Sequence, residues 1–410
     1  MICALLGAAL WLHLATSFGM PVSTTHSIVG AVTGFGILAA GWSAVHWGKM
    51  GQIVASWFVS PVVGALLSYI LFKAISKLIL GDYRPTKAAI RYGPFFIFLT
   101  FFIIPLAIIF KGLKHLLKES DVVWFTDYAA VLIALATGIV AALISRWHLA
   151  KNLTEYRRCA IDEQLNRVES VFTPLVFLTS CSVAFAHGSN DVANAVGPLA
   201  AINESVFKGD VAVAAEIPLW VMLVGALGLS LGLALYGPRI IRTVGSEITD
   251  FDRMRAYCVA MAAAITVIIA SQMGLPVSST HIAVGGVFGV GFLREHIKST
   301  YRGKIDEIEA HYSGKKSQEE VEELLNHFAE ASFEEKGEIL AELKKDTDGE
   351  SPLTKKERKD LKKVYQEDLV KRSAFFKIVA AWLITVPAAA LMAAMLFFMI
   401  RGMMLPGGLA

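Results

Sequence analysis

The chain has 410 residues, of which 55% are hydrophobic and 18% charged, and its mean hydropathy is +0.55. A soluble domain of that size needs more charge to cover its surface, so the composition points to an integral membrane protein. The formal net charge of +3 is near balance and gives no sign of nucleic-acid binding, and Cys3, Cys159, Cys181 and Cys258 have neither metal nor redox spacing.

A spanning helix takes about 20 mostly apolar residues. In chain order the apolar runs are 1–18, a short one at 26–40, 51–72, 93–110, 126–147, a long one at 171–202, 217–237, 254–273, a short one at 281–293, and 376–400. The expectation is therefore an all-α membrane protein of about ten segments. Met1 leads straight into ICALLGAALWLHLATSFG, without the basic flank or cleavage site of a signal peptide. The run at 171–202 contains HGSNDVANAVGP, and a break is expected there, with Gly188, Gly197 and Pro198 permitting an unwound turn and close helix approach. Residues 295–374 differ from everything else: Glu and Lys recur at helical spacing, which predicts a solvent-exposed charged helical insertion. Lys and Arg cluster in 73–91, 146–167 and 239–255, so these loops and the insertion are expected in the cytoplasm, with 41–50, 111–125 and 203–216 outside. Arg239 and Arg294, at span ends, read as headgroup anchors.

The strongest signal is a duplication. GMPVSTTH at 19–26 recurs as GLPVSSTH at 274–281, an offset of 255 residues. The match continues: Gly30, Gly34 and Gly36 fall on Gly285, Gly289 and Gly291. Related halves in a membrane protein point to a transporter. The charge-based orientation sets the loop after the first copy outside and the loop after the second inside, which predicts an inverted repeat with its site near mid-membrane.

Each copy suggests the same chemistry. Pro21 and Pro276 are expected to stop the incoming helix, and the hydroxyls of Ser23, Thr24, Thr25 and of Ser278, Ser279, Thr280 are suited to capping the next one. Two such helix openings aimed at one gap would attract an oxyanion such as phosphate. Asn190, Asp191 and Asn194 add oxygen donors, with Asp191 and Asn194 on one helix face. An ionised carboxylate in the membrane costs at least about 3 kcal/mol and would repel an anion, unless a cation or a proton intervened. Asp191 and Asn194 are thus the candidate cation ligands, and anion binding becomes linked to a cation. His26, His187 and His281 are candidates for a proton-carrying or a structural role.

With these residues in view, AHGSNDVANAVGPLAA together with PVSTTH and PVSSTH resembles the inorganic phosphate transporter (PiT) family across nearly all the membrane portion. The resemblance implies an inverted-repeat helical fold with broken helices and coupling to sodium or protons, with no other cofactor. It implies phosphate held by Ser23, Thr24, Thr25, Ser278, Ser279 and Thr280 with Asn190 and Asn194, and a cation held by Asp191. It further implies a second NDVAN-type motif; the offset sets its expected place before Met1, so the first half is expected to lack its N-terminal part. The chain then divides into 1–72, the remainder of the first repeat; 73–170, connecting helices and loops; 171–294, the core of the second repeat; 295–374, the insertion; and 375–410, the final helix.

The expected activity is import of inorganic phosphate across the plasma membrane by a cation-coupled symporter, not an enzyme, with the bilayer and phosphate as partners and homo-oligomer formation open. Sulfate transport on the same architecture is the alternative. A channel and an intramembrane hydrolase using Ser279 and His281 are remoter ones, since residues two apart on a helix face different ways.

Overall fold

The computed structural model describes residues 1–110, 127–208, 217–246, 252–312, 323–325, 327 and 372–404. Among these the regular structure is helical: α1 (Ile2–Ser17), α2 (Thr24–Ala40), α3 (Trp47–Ile75), α4 (Pro85–Ile108), α5 (Asp127–Leu153), α6 (Ile161–Lys208), α7 (Leu219–Ser246), α8 (Arg253–Gln272), α9 (Ser279–Tyr312) and α10 (Arg372–Met404). Among the described residues seven helices are long and apolar enough to cross a membrane, and α1 and α2 are shorter apolar helices. The expected loop at 111–125, most of the loop at 203–216, the side chain of Arg239 and nearly all of the insertion beyond Tyr312 lie outside the described residues.

Local sequence sets the helix starts. Asp252 caps α8, its carboxylate accepting from the Arg255 N–H at 2.7 Å, and α4 begins on Pro85, whose missing N–H is no loss in a first turn. The main core is built where α3, α4, α6 and α8 meet, around Phe72, Phe96, Phe172, Tyr257 and Met261. Tyr257 is tolerated there because its hydroxyl donates to the Phe96 carbonyl at 2.9 Å. The apolar window of α8 is 61% buried and that of α7 only 6%. Hence α8 is the central post, while α7 presents its Leu-rich surface outward, as lipid contact requires.

Two helical hairpins carry the duplicated motifs. Ala4, Ala8, Trp11 and Ala15 of α1 pack with Ile28 and Ala31 of α2, and with Ala389 and Ala393 of α10. In the second hairpin Gly286 of α9 lies against Val259 of α8. Glycines then allow a third helix to close on each hairpin. A Cβ on Gly30 or Gly34 would meet the backbone of Val386 or Ala390 in α10, and one on Gly285 or Gly289 would meet that of Pro61 or Ala65 in α3. The first hairpin therefore packs on the last helix, and the second hairpin on α3.

Three expectations change. The break at 187–198 does not occur: α6 is one helix of 48 residues from Ile161 to Lys208, with Pro174 and Pro198 inside it. Its polar side chains find partners sideways, on the hairpin tips, so the backbone keeps its own bonds. Nor do Gly188 and Gly197 mediate close approach, since a Cβ on Gly188 would only touch Leu229 at 4.0 Å and one on Gly197 would meet nothing. Arg294, expected at the headgroups, is buried at 4% exposure, because α9 runs on to Tyr312 instead of ending near 293.

Candidate functional site at the two hairpin tips

The tips share one backbone design. In the first, the Met20 N–H reaches back to Ala15 O at 3.0 Å and the Gly19 N–H to Thr16 O at 2.9 Å; in the second, Leu275 reaches Ala270 at 3.0 Å and Gly274 reaches Ser271 at 3.1 Å. These bonds close the incoming helix with a glycine in the left-handed region, φ 70° at Gly19 and 66° at Gly274. The glycine is thus what stops the helix. Pro21 and Pro276 follow in the extended link, where a proline costs nothing. Ser23 then caps α2, accepting from the His26 N–H at 3.2 Å, and Ser278 receives the His281 N–H at 3.2 Å. Each cap takes the third N–H of its helix; the first two N–H groups of a helix have no partner within it.

The tips touch each other. Thr25 Oγ1 donates to Val277 O at 3.3 Å. The polar face of α6 closes against both. Asn194 Nδ2 donates to Thr24 Oγ1 at 3.3 Å and to Thr25 Oγ1 at 3.2 Å. Asn190 Nδ2 donates to Val277 O at 3.2 Å and to Asp191 Oδ1 at 3.1 Å. Ser279 Oγ donates to Asp191 Oδ2 at 2.6 Å. One face of α6 thereby ties the first tip through Asn194 and the second through Asp191.

Ser23, Thr25, Ser278 and Ser279 are buried, each at 5% exposure or less, whereas Thr24, Thr280, Asn190, Asp191 and Asn194 are half-buried. Thr280 and His187 take no part in the bonds just described. Both oxygens of Asp191 accept from neutral donors, the Asn190 amide and the Ser279 hydroxyl. Around it stand hydroxyls, an amide and two helix N-termini, a set able to donate to an oxyanion, while Asp191 and the amide oxygens are hard donors for a small cation.

His26 and His281 meet directly, their ring centroids 4.2 Å apart and nearly perpendicular. Each also lies on a tryptophan: His26 on Trp57 of α3, and His281 on Trp382 of α10, both at 3.7 Å. Sequence reasoning missed both tryptophans. The available signal was a shared order in the spans that follow each motif, WFVSP at 57–61 and WLITVP at 382–387.

The model of the "Phosphate transporter family" matches residues 1–393. A Helicobacter pylori (strain J99) protein named "Putative phosphate permease" is 45% identical, the alignment covering 97% of this chain and 74% of that one. A protein of the same name from Haemophilus influenzae is 39% identical over 72% of this chain and 69% of its own length. Among solved structures, "The sodium-dependent phosphate transporter" superposes with a TM-score of 0.69 at 31% identity, covering 98% of this chain and 79% of that one.

Proposed function

The chain belongs to the phosphate transporter family, and on that premise we propose that it imports inorganic phosphate across the cytoplasmic membrane by cotransport with sodium or a proton. Phosphate is held between the hairpin tips by the hydroxyls of Ser23–Thr25 and Ser278–Thr280 with the Asn190 amide. The cation is held by Asp191 with Asn194. The observation that carries this reading is the Ser279 hydroxyl on Asp191 at 2.6 Å: one anion-facing group and the one NDVAN carboxylate share a hydrogen bond. Filling the cation site reorients that hydroxyl towards the gap, whereas with the cation site empty the hydroxyl stays on Asp191 and is withheld from phosphate. Affinity for the two ions is then linked.

The similar solved structure is described as sodium-dependent, which favours sodium as the coupling ion here. The insertion at 295–374 and the basic loops face the cytoplasm by the Lys and Arg count. A hydrolase using Ser279 and His281 finds no support, because Ser279 donates to Asp191 and the His281 ring stacks on Trp382.

Uptake of labelled phosphate into proteoliposomes under an imposed sodium or proton gradient tests the proposal. The wild-type chain accumulates phosphate uphill under one of the two gradients, and a tenfold excess of sulfate leaves uptake largely intact. Asp191→Asn loses at least about 90% of gradient-driven uptake, the tenfold equivalent of 1.4 kcal/mol. Unchanged gradient dependence in that variant removes Asp191 from the cation site, and full inhibition by sulfate makes the substrate a tetrahedral oxyanion in general.

A further inference from the structure

Four aromatic rings cross the seam between the two hairpin tips. Trp57 covers His26 at 3.7 Å, His26 meets His281 edge-on at 4.2 Å, and His281 lies on Trp382 at 3.7 Å with only 23° between the planes. Each imidazole grows from the first turn of its helix, one to three residues after the hydroxyls proposed to hold the anion. The N–H of each of these histidines is the one that Ser23 or Ser278 caps. A shift of either ring therefore shifts a cap and the hydroxyls beside it.

The tryptophans reach the tips from helices that carry none of the proposed ligands, α3 and α10. Trp382 touches both tips at once: its face lies on His281 while its Nε1–H donates to Pro21 O at 3.4 Å. Trp57 is buried at 7% exposure, and its Nε1–H has no hydrogen-bond partner among the described residues. Burying that donor unsatisfied is a cost that a phenylalanine or leucine would avoid. The ring nitrogens of His26 are likewise without partners among the described residues, so what orients that imidazole is ring contact. An aliphatic side chain could fill the space but would not select one tilt of the ring.

We propose that Trp57 and Trp382 are positioning residues for oxyanion binding. They clamp His26 and His281 face to edge, and so fix the spacing between the hydroxyls of Ser23–Thr25 and those of Ser278–Thr280. Neither tryptophan touches the anion. The inference rests on the phosphate reading of the site.

Phosphate saturation curves for the full chain in proteoliposomes test it. Trp57→Leu and Trp382→Leu raise the KM for phosphate about tenfold, with the maximal rate per reconstituted protein within about twofold of wild type. Trp57→Phe and Trp382→Phe restore KM to within about threefold. The double leucine variant is little worse than the worse single one, because either change opens the same seam. A loss of yield or maximal rate at unchanged KM, or additive losses, overturns the clamp and leaves both residues as packing. Absence of phosphate uptake by the wild-type chain counts instead against the site reading itself. Should the leucine variants fail to insert, fluorine NMR of the wild-type chain labelled with 5-fluorotryptophan decides, its signals assigned through the phenylalanine variants. Saturating phosphate moves the Trp57 and Trp382 resonances together, and resonances that stay fixed overturn the proposal.

Discussion

The hydrogen bonds around Val277 O have a direction. Asn194 donates to Thr25, Thr25 donates to Val277 O, and Asn190 donates to the same carbonyl. The run passes from α6 to the first tip and from there to the second, and it starts on Asn194, where an asparagine supplies something an aspartate cannot: two N–H groups. Asn194→Ala removes the donors to Thr24 and Thr25 and is expected to raise the KM for phosphate about tenfold, in line with roughly 0.5–1.5 kcal/mol for each bond lost. Asn194→Asp should be worse than alanine, because it loses the same donors and sets a second carboxylate one turn from Asp191. Saturation kinetics of the two variants check the order, and an aspartate variant that outperforms alanine reverses the assigned polarity. At this scale the sequence was informative. The duplicated hydroxyls and the asparagines stood out because polar residues are costly in an apolar run, and such residues announce themselves. Trp57 and Trp382 did not, since a tryptophan in a membrane span is ordinary by composition and its significance lies in which ring it faces.

Glycine spacing decides how the helices close on one another. Gly30 and Gly34 against α10, and Gly285 and Gly289 against α3, sit where a methyl group would come closer than 3.0 Å to backbone atoms, the small-residue contact typical of membrane bundles. Gly289→Ala and Gly30→Ala should each cost about 1–3 kcal/mol through overpacking, read as a lower melting temperature of the detergent-purified chain. Gly197→Ala, in contrast, enters open space inside the unbroken α6 and should be neutral or stabilising by up to about 1 kcal/mol through helix propensity. A large loss at Gly197 would reinstate the unwound turn. The repeat made the four packing glycines legible, because each pair recurs at the same offset. It could not reveal which helix each pair packs on, as that exchange between halves is a long-range contact without a local signature. The break expected in α6 failed for a related reason. Polar residues within a span mark a need for partners, and two tips supply them across a helix face just as well as an interruption would.

For the whole molecule, hydropathy outlined the helical membrane architecture, and the hairpins follow from a repeat that closes each incoming helix with a left-handed glycine. Handedness across the membrane is a different matter, because hydropathy is blind to which side is which. Only the loop charges speak to it, through Arg84, Arg91, Arg157 and Arg158 and their neighbours. Cys159 is the natural reporter. It is half-exposed in the link between α5 and α6, next to those arginines, whereas Cys3 and Cys258 are buried and Cys181 lies within the apolar stretch of α6. The Cys159 thiol is held above its ordinary pKa, by desolvation first and by the Glu163 carboxylate second. The thiolate is the reactive form, so a raised pKa leaves less of it near neutrality, and labelling accelerates as pH rises. A membrane-impermeant maleimide should therefore leave Cys159 unmodified in intact cells at pH 8 and modify it once the membrane is permeabilised, more slowly than a free cysteine does. Glu163→Gln should speed that reaction by lowering the pKa, without changing its sidedness. Labelling of Cys159 in intact cells would turn the molecule over in the membrane, carrying the basic loops and the charged insertion to the outer face with it.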